Sequence, residues 1–247
     1  RRLERILDVL DEQGIRDRIR HLTPRPATTE ELLRVHEQRH IARVRQMAAE
    51  GGGYLDPDTY VSRESFEAAL MAAGGVVRAV EGVLDGEIAN AFALVRPPGH
   101  HATRDHAMGF CLFNNVAVAA RAALARDDVE RVFIADFDVH HGNGTADTFA
   151  EDGHVFYFSA HQYPYYPGTG AMTEMGRGQG AGRTLNVPLP TNVSDEGYMR
   201  IFDNLVKPLV ERFEPELILV SAGYDAHWRD PLAHMGLSLA GYAEMTR

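Results

Sequence analysis

Cysteine is nearly absent: Cys111 is the only one among 247 residues. An internal disulfide is therefore excluded, and so is a zinc site built from cysteines. Such a chain reads as one kept in a reducing compartment, and the expected location is cytoplasmic. Lysine is almost missing too, with Lys207 alone among many arginines, which reads as compositional bias. No apolar run approaches the roughly 20 residues a membrane-spanning helix needs. No basic, apolar, small-residue sequence at the start has the form of a signal peptide. A surplus of positive charge is also lacking. The net charge of −10 argues against broad attraction to nucleic acid or anionic membrane, so neither is expected as a partner. Nothing in the sequence fixes an oligomeric state.

What is present is ordinary for a soluble domain: 45% hydrophobic and 24% charged residues. The chain opens on Arg1-Arg2 and shows no repeat or linker. Leu3, Ile6, Leu7 and Leu10 are spaced as on a helix within residues 1–21. Thr28-Thr29-Glu30-Glu31 has the form of a capping box, predicting a helix to about Glu50, where Gly51-Gly52-Gly53 stops it. Asp56-Pro57-Asp58 reads as a turn. Phe66, Leu70, Ala73, Val77, Val80 and Leu84 step by threes and fours along one helix face, ended by Asp85-Gly86.

Beyond Gly86 the pattern changes to short apolar runs: Ala91–Val95, Val132–Ala135, Val155–Phe158, Leu185–Val187 and Leu217–Val220. Helical stretches at 113–126 and 195–213 separate several of them. This predicts an α/β fold with an open, mainly parallel sheet and helices on both faces. Ligands in such folds bind beyond the carboxyl ends of the strands. Polar clusters fall there: Arg96–His101, Asp136–His141, Ser159–His161 and Ser221–His227.

Asp136-Phe137-Asp138-Val139-His140-His141-Gly142-Asn143-Gly144 follows one apolar run. In an extended chain, alternation puts Asp136, Asp138 and His140 on one side. Two carboxylates and an imidazole so placed are costly unless a cation sits among them. Such ligands suit Zn²⁺, Fe²⁺ or Mn²⁺, and Asp225 offers a third ligand from another strand end. The competing reading is a loop whose Asp and His cap helices or close turns. Pro97, Pro98 and Gly99 stiffen the approach to His100-His101, which can then serve as general base and acid. The alternative there is a rigid loop with two surface histidines.

Taken in order, RPPGHHA, GFCLFNN, DFDVHHGNGT, YYPGTG and GYDAH resemble the motifs of the histone deacetylase and acetylpolyamine amidohydrolase superfamily, nearer its class II branch. The resemblance spans nearly the whole chain and implies the arginase-deacetylase fold. It implies zinc ligands Asp138, His140 and Asp225. His101 would be the main proton shuttle and His100 its electrostatic partner, with Asp136 on the ring of His100 and Asn143 on that of His101. Some relatives carry aspartate where Asn143 stands, so His101 is expected to be less basic here. Gly109, Phe110 and Tyr166 would line the acyl-lysine tunnel, Tyr166 in place of the usual Phe, and Leu232 would stand at its mouth. Asp56 or Asp58 would match an acidic contact to the substrate backbone; a solvated turn is the alternative. The resemblance also implies K⁺ near Asp136, Asp138, His140, Ser159 and Ala160, although Ser159 reads equally as a strand-end hydroxyl.

The implied reaction is zinc-dependent hydrolysis of acetyl-lysine in proteins or peptides, releasing acetate. A small acetylated amine such as an acetylpolyamine is the alternative substrate, and a non-catalytic acyl-binding module the alternative role. An arginase-like manganese hydrolase fits less well, because its binuclear site uses more aspartates. The family's catalytic tyrosine lies in a Gly-Gly-Tyr turn absent from these residues. The expectation is one catalytic domain, residues 1–247, incomplete at both termini. Cys111 is expected to be a small buried residue, His161 and His227 a polar rim, and Trp228 either rim or packing against a loop.

Overall fold

The computed structural model describes residues 2–247; Arg1, at the start of the predicted N-terminal helix, lies outside them. The first helix, α1 (Arg2–Glu12), ends well before residue 21, near Gly14 at φ +60°, and a 3₁₀ turn follows at Arg16–Arg18. The predicted helix from Thr28 to Glu50 is two helices, α2 (Thr29–Leu33) and α3 (Gln38–Ala49). The capping box at Thr28 and Glu31 is present. The break between the helices is used: His36 accepts from the Asn114 N–H at 2.9 Å, and Glu37 N–H donates to Arg104 O at 2.8 Å.

A hairpin of β1 (Gly53–Asp56) and β2 (Thr59–Val61) turns at Asp56–Thr59, and α4 (Ser65–Leu84) follows as its spacing predicts. Residues 91–95 depart from expectation. They form no strand, and Phe92 is 65% exposed. An apolar run becomes a strand only where a neighbour completes its backbone hydrogen bonds, and among the described residues none pairs with it.

The next helix, α5 (Asn115–Ala123), starts under a cap in which Asn114 accepts from Ala117 N–H. Then come β3 (Val132–Asp136), α6 (Asn143–Phe149), β4 (Val155–Gln162) and β5 (Thr184–Leu189). After β5 the helix runs through α7 (Asp195–Ile201), a π turn at Phe202–Val206 and α8 (Lys207–Phe213). Pro208 has no N–H to continue the α pattern, which accounts for the wider turn before it. The last elements are β6 (Leu217–Ser221) and α9 (Leu239–Met245).

The main sheet is parallel throughout, in the order β5-β4-β3-β6. Alternation along its strands feeds two cores. Val132, Ile134, Val155, Tyr157, Leu217 and Leu219 pack with Val77 of α4 and Ala117 and Ala120 of α5. Phe133, Ala135, Phe156 and Phe158 pack with Tyr198, Val206, Phe213 and Tyr242 from α7 to α9. Helices thus cover both faces of β3 and β4, as their continuous apolar runs require, whereas Ile218 and Val220 of β6 are exposed. The register is level: Asp136 pairs with Ser159 on one side and Ser221 on the other, and Ser159 pairs with Asn186. A row of polar residues therefore crosses the sheet at its carboxyl ends.

Candidate active site

Just beyond that row, Asp138, His140 and Asp225 converge, with one ligand atom from each within 4.8 Å of the others. Backbone bonds aim them. His140 N–H donates to Asp138 Oδ1 at 2.9 Å, and Val139 N–H donates to Asp225 Oδ1 at 3.0 Å. His140 Nδ1 faces both carboxylates, 3.0 Å from Asp138 Oδ1 and 3.1 Å from Asp225 Oδ2. Two carboxylates turned on one imidazole nitrogen are what a divalent cation with mixed oxygen and nitrogen ligands requires, so the residues present fit a metal.

His100 and His101 lie beside this triad, 7% and 4% exposed, which overturns the surface-loop alternative. Their ring centroids are 4.0 Å apart, and their partners differ in charge. His100 Nδ1 is 3.0 Å from Asp136 Oδ2, whereas His101 Nδ1 is 2.8 Å from Asn143 Oδ1. Burial opposes a charge on His100, but Asp136 and then Asp138 outweigh it and raise its pKa to about 9. On His101 burial acts first and the neighbouring His100 second, pressing the pKa down to about 2. One ring holds a proton while the other is kept free to take one, the split expected of an acid and base pair. Asp136 is fully buried and also accepts from Asp138 N–H at 3.2 Å and from the Tyr157 hydroxyl at 3.1 Å.

Around the triad lie the residues expected of a channel. Gly109 and Phe110 both adopt left-handed backbone, φ +56° and +66°. The hairpin tip holds them there: Gly109 N–H donates to Asp58 Oδ1 and Phe110 N–H to Thr59 Oγ1, each at 3.0 Å. Asp58 is thus tied to the wall and is more than a solvated turn, and Asp56 meets His106 Nε2 at 3.0 Å. Phe110 is 59% exposed and Tyr166 36%. The Tyr166 ring stands edge-on to His101, with centroids 5.1 Å apart. Tyr165 stacks on His140 at 5.4 Å, and its hydroxyl donates to Leu232 O at 2.6 Å, which brings the exposed Leu232 to the same side. Ser159 and Ala160 are fully buried beneath the site.

These geometries agree with the comparisons. The family model for the histone deacetylase domain matches residues 1–247. The chain belongs to the histone deacetylase family. It is 44% identical over 248 residues to a probable deacetylase of Archaeoglobus fulgidus, covering 100% of this chain and 68% of that protein. To the histone deacetylase-like amidohydrolase of Pseudomonas aeruginosa it is 42% identical over 247 residues, covering 100% of this chain and 64% of that one. The crystal structure of the HDA15 HD domain superposes with a TM-score of 0.96 at 41% identity, over 99% of this chain and 72% of that one. The sheet and its flanking helices are therefore the arginase-deacetylase fold. No helix among the described residues is long and apolar enough to cross a membrane.

Some residues of this deacetylase-family site escape sequence reasoning. His161 is fully buried, so it is no rim residue. The signal was available in β4, where Tyr157, Ser159 and His161 alternate and so share one side of the strand. His141, 1% exposed, was hidden behind its neighbour His140. His227 is half-buried with Nδ1 accepting from Arg229 N–H, consistent with a rim. Trp228 is 56% exposed beneath the Arg229 guanidinium. Cys111 is fully buried, its thiol pKa pushed up by burial, and its Sγ lies 3.3 Å from Gly109 O, so it is a packing residue.

Proposed function

We propose that this chain carries the metal and proton-transfer machinery of a zinc-dependent deacetylase that acts on acetyl-lysine in peptides or proteins. The observation that carries the reading is the convergence of Asp138, His140 and Asp225 beside two histidines with opposite proton affinities. A zinc ion held by the three ligands supplies Lewis acidity toward the amide carbonyl and a water molecule. Asn143 Oδ1 can only accept from His101, so the proton of that ring sits on Nδ1 and Nε2 keeps its lone pair. His101 then takes the water proton as oxygen bonds to the acyl carbon. It returns the proton to the amine nitrogen as the C–N bond breaks, leaving acetate and a free amine. His100, protonated against Asp136, supplies positive charge near the developing oxyanion.

Oxygen ligation of K⁺ by Ser159 has support in the proton positions. Gly170 O accepts from His161 Nε2, so His161 Nδ1 must accept from the Ser159 hydroxyl, and the Ser159 lone pairs stay free for a cation. Asp136, Asp138, His140 and Ala160 would add the remaining oxygens.

A peptide substrate is favoured by Leu232, an exposed apolar residue where a carboxylate would attract a polyamine cation. The matched relatives run longer than this chain, so the test uses the longest natural reading frame. Acetate release is measured from an acetyl-lysine peptide and from acetylputrescine, with and without chelator. Chelator-sensitive release from the peptide is expected. Preference for acetylputrescine supports the small-amine reading. Binding of the peptide by folded, zinc-loaded protein without release overturns the enzyme reading in favour of an acyl-binding module.

A further inference from the structure

Neither His141 nor His161 touches the reacting atoms in the mechanism above, yet both are among the largest fully buried side chains of the molecule. Their rings lie 4.8 Å apart, inclined at 49°. One follows a metal ligand directly, and the other lies near the end of β4. Both face the same object, the segment 163–170.

Each makes one hydrogen bond to that segment. His141 Nδ1 is 2.8 Å from Thr169 Oγ1, and His161 Nε2 is 2.9 Å from Gly170 O. The second bond fixes a tautomer. A carbonyl can only accept, so His161 donates from Nε2 and accepts from the Ser159 hydroxyl on Nδ1, at 2.9 Å. Gly170 adopts φ +91°, and a Cβ there would overlap the His161 ring and press on that of His141. The loop therefore rests directly on the two imidazoles. Burial lets such bonds hold a position more firmly than the same bonds in water.

The segment carries the two tyrosines that meet the reactive residues. Tyr165 stacks on the metal-ligand candidate His140, and Tyr166 stands edge-on to His101. We propose that His141 and His161 form a buried strut that sets the height of the 165–170 loop, and so the position of Tyr166 against the substrate side chain. They are positioning residues, acting through the loop. The inference rests on the deacetylase reading for its effect on turnover, but the strut itself does not need turnover to be seen.

Two measurements on the intact protein test it. The first is amide hydrogen exchange in the wild type, Thr169→Val, His161→Leu and His161→Gln. Thr169 is exposed, so Thr169→Val removes the contact to His141 with little risk to folding. Faster exchange confined to 164–171 is expected for Thr169→Val and His161→Leu, by about tenfold, the factor that loss of one hydrogen bond corresponds to. His161→Gln, whose amide can still donate to Gly170 O, is expected to restore protection. Unchanged exchange, or loosening spread through the sheet, overturns the strut.

The second measurement is a double-mutant cycle on kcat/KM with Thr169→Val and Tyr166→Ala, zinc content being checked in each variant. Thr169→Val alone is expected to raise KM several-fold at full zinc occupancy, and to add nothing once the Tyr166 ring is gone. Additive effects, or loss of zinc with Thr169→Val, overturn the action through Tyr166. A wild type with no turnover on any acetylated amine sinks the proposed function by itself, while the exchange result still decides whether the strut exists.

Discussion

His101 donates from Nδ1 to Asn143 at 2.8 Å, a neutral acceptor where the adjacent His100 has the carboxylate of Asp136. In the proposed mechanism the difference sets which ring is free to act as base. Replacing Asn143 by Asp puts negative charge against the His101 imidazolium and raises its pKa by about 1–2 units. A base must be deprotonated to act, so the acid limb of the kcat/KM profile is expected to move to higher pH in Asn143→Asp. An unmoved limb would mean that His101 is not the titrating base.

The three-residue ligand set makes a second prediction. Partners that merely orient a ligand are worth about 10–100-fold in metal affinity, so loss of a ligand costs more. Asp225→Ala is expected to lose zinc, measured by elemental analysis of dialysed protein, and to lose deacetylation with it. A folded Asp225→Ala protein with normal zinc and normal turnover sinks the metal assignment.

In the proposed mechanism Gly109 joins the wall of the channel to the base, His101. Its φ of +56° is strained for any side chain, and a Cβ would overlap the His101 ring. Gly109→Ala is expected to lower kcat/KM by about 10²-fold, the cost of misplacing a catalytic group by about 1 Å. Zinc content should stay near that of the wild type, because the clash falls on His101 and not on the three ligands.

Stability should fall in acid for a reason that lies away from the metal. Burial first, and His40 second, push His36 down to about 3. Its Nδ1 meets Thr103 O and its Nε2 accepts from Asn114 N–H, so the neutral form is built into the fold. The folded pKa lies below the unfolded value of about 6.5. The unfolded chain therefore binds the extra proton, and stability is full above about pH 6.5 and is lost as pH falls toward 3. Each such histidine contributes a slope of up to about 1.4 kcal/mol per pH unit. Urea unfolding at pH 7.5 and 5.5 measures it, and His36→Gln should flatten the dependence, whatever its cost at pH 7.5.

Much of the site was legible because it follows strands. Val132–Ala135 and its neighbours advertise burial on both faces, and the polar residues that end them must then crowd together. The DFDVHH and HH motifs single out, without coordinates, residues that the fold brings together. The run at 91–95 misled because apolar composition reports burial propensity, whereas a strand needs a partner. The break at His36–Glu37 was hidden because its gain lies in contacts to Thr103, Arg104 and Asn114, far along the chain. His141 carries no mark of its own in the sequence, and His161 reads there as a polar rim, for a similar reason. Their partners, Thr169 and Gly170, belong to a loop whose path no local pattern reveals.

The level register of β3 with β4 and β6 has a practical consequence. Asp136 stands opposite Ser159 and Ser221, and the ligand-bearing turns begin one residue later on both β3 and β6. Sliding β3 by a single position would turn Phe133 into the wrong core and carry Asp138 and His140 about 3.3 Å away from Asp225. Asp138 and His140 would move together, and the pair would part from Asp225. Correct pairing of β3 with β6 is therefore a condition for a three-ligand site.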